Sequence, residues 1–225
     1  MVPVLKPGPR RLPIGITGLA VIVFLIGIAT GLSQWHSNQV ITAHAAKLVY
    51  DANHNISHQA PATVKPAPSA FANYQVAPDE PRYIFIPSIN IAAIIGQLGL
   101  TAEGQLGSPD NVYDTDWYNG SSLPGRSGAT VIDGHVSSWT ADGVFYNLKL
   151  LQPGAKIQIE KGDGTLITYQ VVTKQIYNYQ NVDMKALLAP VNPGSPGLNL
   201  ITCTGEVIPG TNEFNQRLVV FATIE

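Results

Sequence analysis

Residues 155–179 read AKIQIEKGDGTLITYQVVTKQIYNY and hold two apolar runs on either side of a glycine-rich turn. Apolar and polar residues alternate in the first run, and β-branched and aromatic side chains are frequent in the second, as is typical of strands. Glycine supplies the positive φ that tight turns require, so KGDGT predicts the turn of a β-hairpin. This stretch predicts a domain built from short strands.

The same texture begins at residue 81 and continues to the C-terminus. Residues 82–95, RYIFIPSINIAAII, predict two strands joined by a bend at Pro87, and further strands are predicted at 128–135, 197–203 and 217–224. Short helical turns are predicted at 144–151 and 183–188. Seven or eight strands with little helix predict a mostly β fold, a closed or nearly closed barrel, since closure removes exposed strand edges.

Charge and cysteine content exclude several classes of protein. The chain has 13 basic and 15 acidic residues, so it lacks the basic footprint that nucleic-acid binding requires. It has one cysteine, Cys203, which is unable to form an internal disulfide. That thiol is therefore free, bonded to another molecule, or catalytic.

The N-terminal region predicts a membrane anchor. Residues 14–32 carry no charge and are long enough, as a helix, to cross a bilayer. Lys6, Arg10 and Arg11 precede them and no basic residue follows until Lys47, which predicts a cytoplasmic N-terminus. We expect a single-pass protein of the cell membrane, with a cytoplasmic segment at 1–11 and a transmembrane helix at 12–33. The rest of the chain is then extracytoplasmic. A cleaved signal peptide is disfavoured, because the apolar segment is too long.

Residues 34–80 are predicted to be an extracytoplasmic linker. They run into the proline-rich sequence APATVKPAPSA, which favours extended conformations over a packed core. Four histidines lie here at irregular spacing, which predicts no preformed metal geometry. The catalytic domain is then expected at 81–225.

Three side chains in that domain are candidates for a chemical role. Cys203 lies in LNLITCTGE, residues 198–206, at the predicted end of a strand; His135, the domain's one histidine, ends another; Arg217 opens the last. A nucleophilic thiol needs a base or cation nearby, because few thiols are ionised at neutral pH. Taken singly, each also fits a bland reading as an inert core cysteine, a satisfied histidine or a solvated arginine.

The motifs around these residues resemble the sortase family of Gram-positive cell-surface transpeptidases. The resemblance lies in VIDGHVSSW, GVFYNLKLLQPGAKIQI, LNLITCTG and QRLVVFA, which stand in the family's order and cover nearly all of residues 81–225. The segments PRYIFIPSINIAAIIGQLGLTAEGQLGSP and DWYNGSSLPGRSGATVIDGHV particularly resemble class F sortases. Asn199 and Leu200 stand where the family motif usually has Thr-Leu, and Thr202 and Cys203 hold the register.

The resemblance implies a role for each candidate. Cys203 would be the nucleophile, His135 the general acid and base, and Arg217 the group that stabilises the oxyanion or positions substrate carbonyls. Thr202, Val136 and Thr204 are the predicted substrate-binding residues.

No cofactor and no metal are predicted. Some sortases of another class bind calcium near the loop before the nucleophile's strand, and here residues 178–197 contain Asp183 as their one acid. An acid that orients His135, such as Asp133 on the same strand face, is conceivable, although the family does not depend on one.

Three hypotheses of function remain open at this point. The leading one is a membrane-anchored transpeptidase that cleaves an LPxTG-like sorting signal of secreted surface proteins and joins it to an amine of a peptidoglycan precursor. The second is a cysteine peptidase that releases the peptide to water, and the third is a non-catalytic peptide-binding barrel. A thiol redox role ranks last, because the chain has no second cysteine to resolve a disulfide.

Overall fold

The structure, a computed structural model, describes residues 62–102 and 104–225. Eight strands form a closed barrel in the order β1-β2-β3-β4-β7-β8-β6-β5. Neighbours are antiparallel except for β2 with β3 and β4 with β7, which run parallel. The strands are β1 Pro81–Ile86, β2 Ile91–Leu98, β3 Thr115–Tyr118, β4 Ala129–Gly134, β5 Lys156–Lys161, β6 Leu166–Asn178, β7 Gly197–Val207 and β8 Phe214–Ile224.

Helix is confined to short pieces. Helix α1 spans Pro68–Asn73 and α2 spans Met184–Leu188, and 3-10 turns lie at Pro87–Ile89, Leu148–Leu150 and Tyr179–Asn181. The mostly β fold, the closed barrel of about eight strands and the short helices are confirmed. None of the helices in the described ranges is long and apolar enough to cross a membrane. The predicted transmembrane helix at 12–33 lies outside the described residues.

Most predicted strands are present, and the differences fall around the candidate residues. The glycine-rich turn joins β5 to β6, with Gly164 at φ 82°. β3 was missed, because TDWY offers no apolar alternation. β7 does not end at Cys203 but continues to Val207, and β8 begins at Phe214, before Arg217. Pairing between β7 and β8 extends both strands beyond the apolar runs that predicted them.

Two apolar clusters lie on opposite faces of the barrel wall. The inner cluster draws buried side chains from all eight strands and fills the barrel. The outer cluster lies on β4, β7 and β8, beneath α2, and consists of Val131, Leu187, Ile201, Val219 and Phe221. Side chains alternate between faces along a strand, so residues two positions from these also point outward.

The chain before β1 contacts the barrel. The Tyr74 hydroxyl donates to the Ile95 carbonyl at 2.7 Å, and the rings of Phe71 and Tyr83 stack with centroids 5.7 Å apart. Further back, Ala62 forms a parallel bridge with Asn111. The described part of the predicted linker, residues 62–80, is therefore packed on the domain.

Asn199 connects β7 to α2. Its side-chain amide is buried and donates to the carbonyls of Leu187 at 2.7 Å and Ala189 at 3.0 Å. These carbonyls lie at the C-terminal end of α2, where helical partners are lacking. The residue that departs from the family motif thus holds the helix that covers the outer cluster.

Asn199→Ala is expected to lower the free energy of unfolding by about 1–2 kcal/mol, because the buried Leu187 carbonyl and the partly buried Ala189 carbonyl lose their donor. Chemical denaturation of the full chain measures the change. Asn178→Ala is the control, since its side chain accepts one exposed hydrogen bond from Gln180 and should cost less than half as much. Equal losses in the two variants would contradict the assigned role of Asn199.

Candidate active site

Cys203 and Arg217 are direct partners across the β7–β8 pair. On the next strand, Tyr177 of β6 pairs with Arg217. Side chains of directly opposite residues lie on the same face, with Cβ atoms about 4.5–5.5 Å apart. Strand register therefore brings the sulfur and the guanidinium to one place, although 13 residues separate them in the chain.

His135 reaches the same place through the parallel pairing of β4 with β7. Asp133 is level with Ile201, and His135, the first residue after the end of β4, continues toward the level of Cys203. The Thr202 hydroxyl donates to the Gly134 carbonyl at 2.6 Å and ties the two strands together between these residues. The absence of a side chain at Gly134 lets the Phe145 ring pack directly against the end of β4, since a Cβ there would lie 2.6 Å from that ring.

The three candidates share the outer face of the barrel wall. Cys203 lies two residues beyond Ile201, and Arg217 lies two residues before Val219; both of these neighbours belong to the outer cluster. Asp133 lies on this face as well, between Val131 and His135. The structure thus brings together the predicted catalytic residues and adds a carboxylate to them.

A backbone carbonyl determines the tautomer of His135, that is, which ring nitrogen carries the hydrogen. The ring atom Nε2 lies 2.6 Å from the Pro109 carbonyl oxygen. A carbonyl only accepts hydrogen bonds, so Nε2 carries a proton and donates it. In the neutral ring Nδ1 is then the nitrogen that accepts a proton.

The Arg217 guanidinium is held by the end of the β7–β8 hairpin. It donates to the carbonyls of Phe214 at 2.9 Å and Gln216 at 3.1 Å, and to the Glu213 carboxylate at 3.1 Å. It also lies over the Tyr179 ring, 5.9 Å from the centroid. These contacts restrict Arg217 to the neighbourhood of Cys203.

Burial controls the ionisation of the thiol. It raises the pKa of Cys203 to about 11; Arg217 opposes the rise, whereas the carboxylates of Asp133 and Glu213 add to it. Burial also raises the pKa of Asp133 to about 6, against the charges of His135 and Arg217. The resting site therefore holds a protonated thiol at neutral pH, and ionising it requires a base or a substrate.

A cavity of about 170 Å³ opens beside the sulfur. The three predicted substrate-binding residues, Val136, Thr202 and Thr204, line it together with Cys203. The rest of its wall comes from the segment after His135 and from the β7–β8 hairpin: Ser137, Phe145, Tyr146, Lys149, Gly205, Phe214 and Leu218. Thr202 is almost fully buried and its hydroxyl donates to the Gly134 carbonyl, so Thr202 stabilises the wall of the cavity.

Comparison with known proteins identifies the family of the chain. The profile of the sortase domain family matches residues 84–225, more than half of the chain. The chain belongs to the sortase family. Sortases are cysteine transpeptidases that act on sorting-signal substrates.

Solved structures of several sortases are similar to this sortase. The pilus-related sortase C of Group B Streptococcus is 21% identical, with 84% of this chain and 90% of that chain covered at a TM-score of 0.50, a likeness of fold. A lid mutant of sortase A from Corynebacterium diphtheriae is 27% identical, covering 64% and 68% of the two chains at a TM-score of 0.49. A sortase D5 transpeptidase from Clostridium perfringens is 22% identical, covering 65% and 79% at 0.48. No curated protein matches the chain.

Sequence reasoning missed several groups around the trio. Pro109 and Ser108 contact His135 and Asp133 from the loop between β2 and β3, and Glu213 contacts Arg217 from the β7–β8 hairpin. Ser108 and Pro109 end one of the segments that resemble class F sortases, but nothing in that segment indicates their contacts with residues distant in the chain. In the described ranges no group of three or more His, Cys, Asp or Glu is arranged to hold a metal ion.

Alkylation of Cys203, the chain's one thiol, is expected to be slow at pH 7 and to rise about tenfold per pH unit toward pH 10, because the thiol pKa is about 11. Glu213→Gln should speed alkylation at pH 8 several-fold, since it removes an anion that raises this pKa, and Arg217→Gln should slow it. Iodoacetamide labelling followed by intact-mass spectrometry measures both. A rate that levels off below pH 8 would contradict a buried neutral thiol.

Proposed function

We propose that this protein is a membrane-anchored cysteine transpeptidase that cleaves an LPxTG-like sorting signal between Thr and Gly. It then joins the threonine to an amine of a peptidoglycan precursor. The observation that carries the proposal is the strand register that gathers Cys203, Arg217 and His135 on one face in a chain of the sortase family.

The first half of the reaction forms a thioester. The Cys203 thiol transfers its proton to His135, and the sulfur attacks the threonine carbonyl carbon. The C–N bond to glycine breaks as the tetrahedral intermediate collapses, and His135 returns the proton to the leaving amine. The peptide beyond threonine departs, and the acyl group remains on sulfur.

The second half transfers the acyl group. An incoming amine attacks the thioester carbonyl and gives a proton to His135, and the sulfur leaves as a thiolate. That thiolate takes the proton back and regenerates the resting thiol, which burial favours. Proton gain and loss balance over the cycle.

Arg217 is suited to the oxyanion that forms in both halves. Guanidinium carries five N–H donors in a fixed fork, and the contacts to Phe214, Gln216 and Glu213 use only the two terminal nitrogens. Charge that develops on the carbonyl oxygen near Cys203 would lie close to a cation on the paired strand. Preorganised donors of this kind contribute about 3–4 kcal/mol to a barrier reduction.

The finer parts of the proposal rest on the sequence. Class F membership is supported by the segments before and around His135. Anchoring through residues 12–33, with the domain outside, is supported by their apolar length and the basic residues before them. An extracytoplasmic site would meet both secreted surface proteins and cell-wall precursors.

The test uses the full chain in detergent micelles with a library of LPxTG-like peptides and a glycine-based amine. Mass spectrometry is expected to detect peptide cleaved after threonine and joined to the amine. Cys203→Ala should abolish product, at least about 1000-fold, since no other thiol is present.

Matched variants separate the roles. Arg217→Lys keeps the charge but loses the fork, and should fall less than Arg217→Ala. Product consisting only of hydrolysed peptide would indicate a cysteine peptidase. Binding without any cleavage, unchanged in Cys203→Ala, would indicate a peptide-binding barrel and sink the proposal.

A further inference from the structure

Asp133 lies on the catalytic face one pleat before His135. It pairs with Ile201 of β7 on one side and with Asp116 of β3 on the other. The ionisable groups that share this face with it include His135 just after its own strand, Asp116 on β3, Cys203 on β7 and Arg217 on β8; the hydroxyls of Tyr118 and Tyr177 belong to the same face. The β-period places residues i and i+2 of one strand about 6.6–6.8 Å apart on the same face.

Two hydrogen bonds stabilise the ionised form of the Asp133 side chain. The Ser108 hydroxyl and the Gly134 backbone N–H both donate to it. Ser108 precedes Pro109, whose carbonyl accepts from Nε2 of His135. One short stretch of loop therefore holds both the carboxylate and the imidazole.

The same carboxylate interacts with the charges of two catalytic residues. His135 and Arg217 each favour its ionised form, and Asp133 in turn acts on the Cys203 thiol. Attraction between opposite charges is mutual, so an ionised Asp133 attracts the positive charge that the imidazole carries within the proposed cycle. An anion at this point also attracts the Arg217 guanidinium toward the Cys203 side of β8.

Keeping this carboxylate is unfavourable for the fold. Burial raises the pKa of Asp133 from 3.8 to about 6, in spite of the two cations and two hydrogen bonds. An acid whose pKa is higher in the folded state contributes stability below its unfolded pKa and loses it as pH rises through the folded value. Above pH 6 the ionised side chain therefore opposes folding, which is common for groups retained for function.

We propose that Asp133 is a positioning residue for transpeptidation, whose carboxylate holds the His135 imidazolium and the Arg217 guanidinium in place around Cys203. The inference rests on the proposed function. It assigns Asp133 no contact with substrate. The geometry that carries it is the placement of Asp133, His135, Cys203 and Arg217 on one face of the barrel wall, together with the contacts of the Ser108–Pro109 loop.

Asp133→Asn in the full chain separates this role from a structural one, because it removes the charge and retains the shape. The expected result is a fall in kcat of about 10- to 100-fold with KM within about twofold. Alkylation of Cys203 at pH 8 should become several-fold faster in the same variant, because an anion that raises the thiol pKa has gone. Its Tm at pH 7.5 should be equal to or above that of the wild type.

Three comparison variants complete the test. Asp133→Glu keeps the charge and should restore a large part of kcat, and Ser108→Ala should lower kcat in the same direction but less. Asp163→Asn removes an equal charge from the exposed β5–β6 hairpin and should change none of the three readouts.

Two results for Asp133→Asn would overturn the inference. A kcat for Asp133→Asn within twofold of the wild type, in an assay where Cys203→Ala is dead, would overturn the inference and leave the proposed function intact. A fall in kcat accompanied by a lower Tm and no restoration by Asp133→Glu would also overturn it, in favour of a structural role. If the wild type transfers no peptide, the proposed function fails, and unchanged alkylation in Asp133→Asn would remove the coupling of Asp133 to Cys203 as well.

Discussion

The parallel pairing of β4 with β7 is the constraint on which the active site depends. It directs the end of β4, which His135 follows, toward Cys203, and the Thr202–Gly134 hydrogen bond joins the two strands at that end. A shift of one residue would turn one of the two side chains into the barrel. The antiparallel β7–β8 pair then adds Arg217 opposite the sulfur. The relative positions of these side chains follow from the strand register, and the inner and outer clusters stabilise that register on both faces of the barrel wall.

The electrostatic environment of the resting site disfavours the reactive thiolate form of Cys203. Burial and two carboxylates keep Cys203 protonated, and one guanidinium opposes them. A thiol in this state reacts slowly with adventitious electrophiles, because the thiolate is the reactive form. In the reaction we propose, it becomes a nucleophile when a base and an aligned carbonyl are present together, so the barrier is lowered mainly for a bound substrate. The hairpin contacts of Arg217 and the loop contacts of His135 supply that alignment.

The sequence predicts the barrel and the trio for different reasons. Alternating apolar runs predict most strands, and their count predicts closure. The sequence does not predict β3, because its outward Asp116 and its short length leave no apolar pattern. It also does not predict the full lengths of β7 and β8, because strand pairing rather than hydrophobicity extends them. Family motifs point to Cys203, His135 and Arg217. The contacts of Pro109, Ser108 and Glu213 arise from loop conformation, which no local pattern encodes.

The central claim is that the sulfur of Cys203 carries the substrate acyl group between donor and acceptor. Rapid acid quenching of the full chain with an LPxTG-like peptide, followed by digestion and mass spectrometry, tests it most directly. The account predicts that the fragment containing Cys203 gains the mass of the peptide acylated through threonine, and that added amine discharges it. Transfer product that accumulates while this fragment stays unmodified at every quench time would contradict the account.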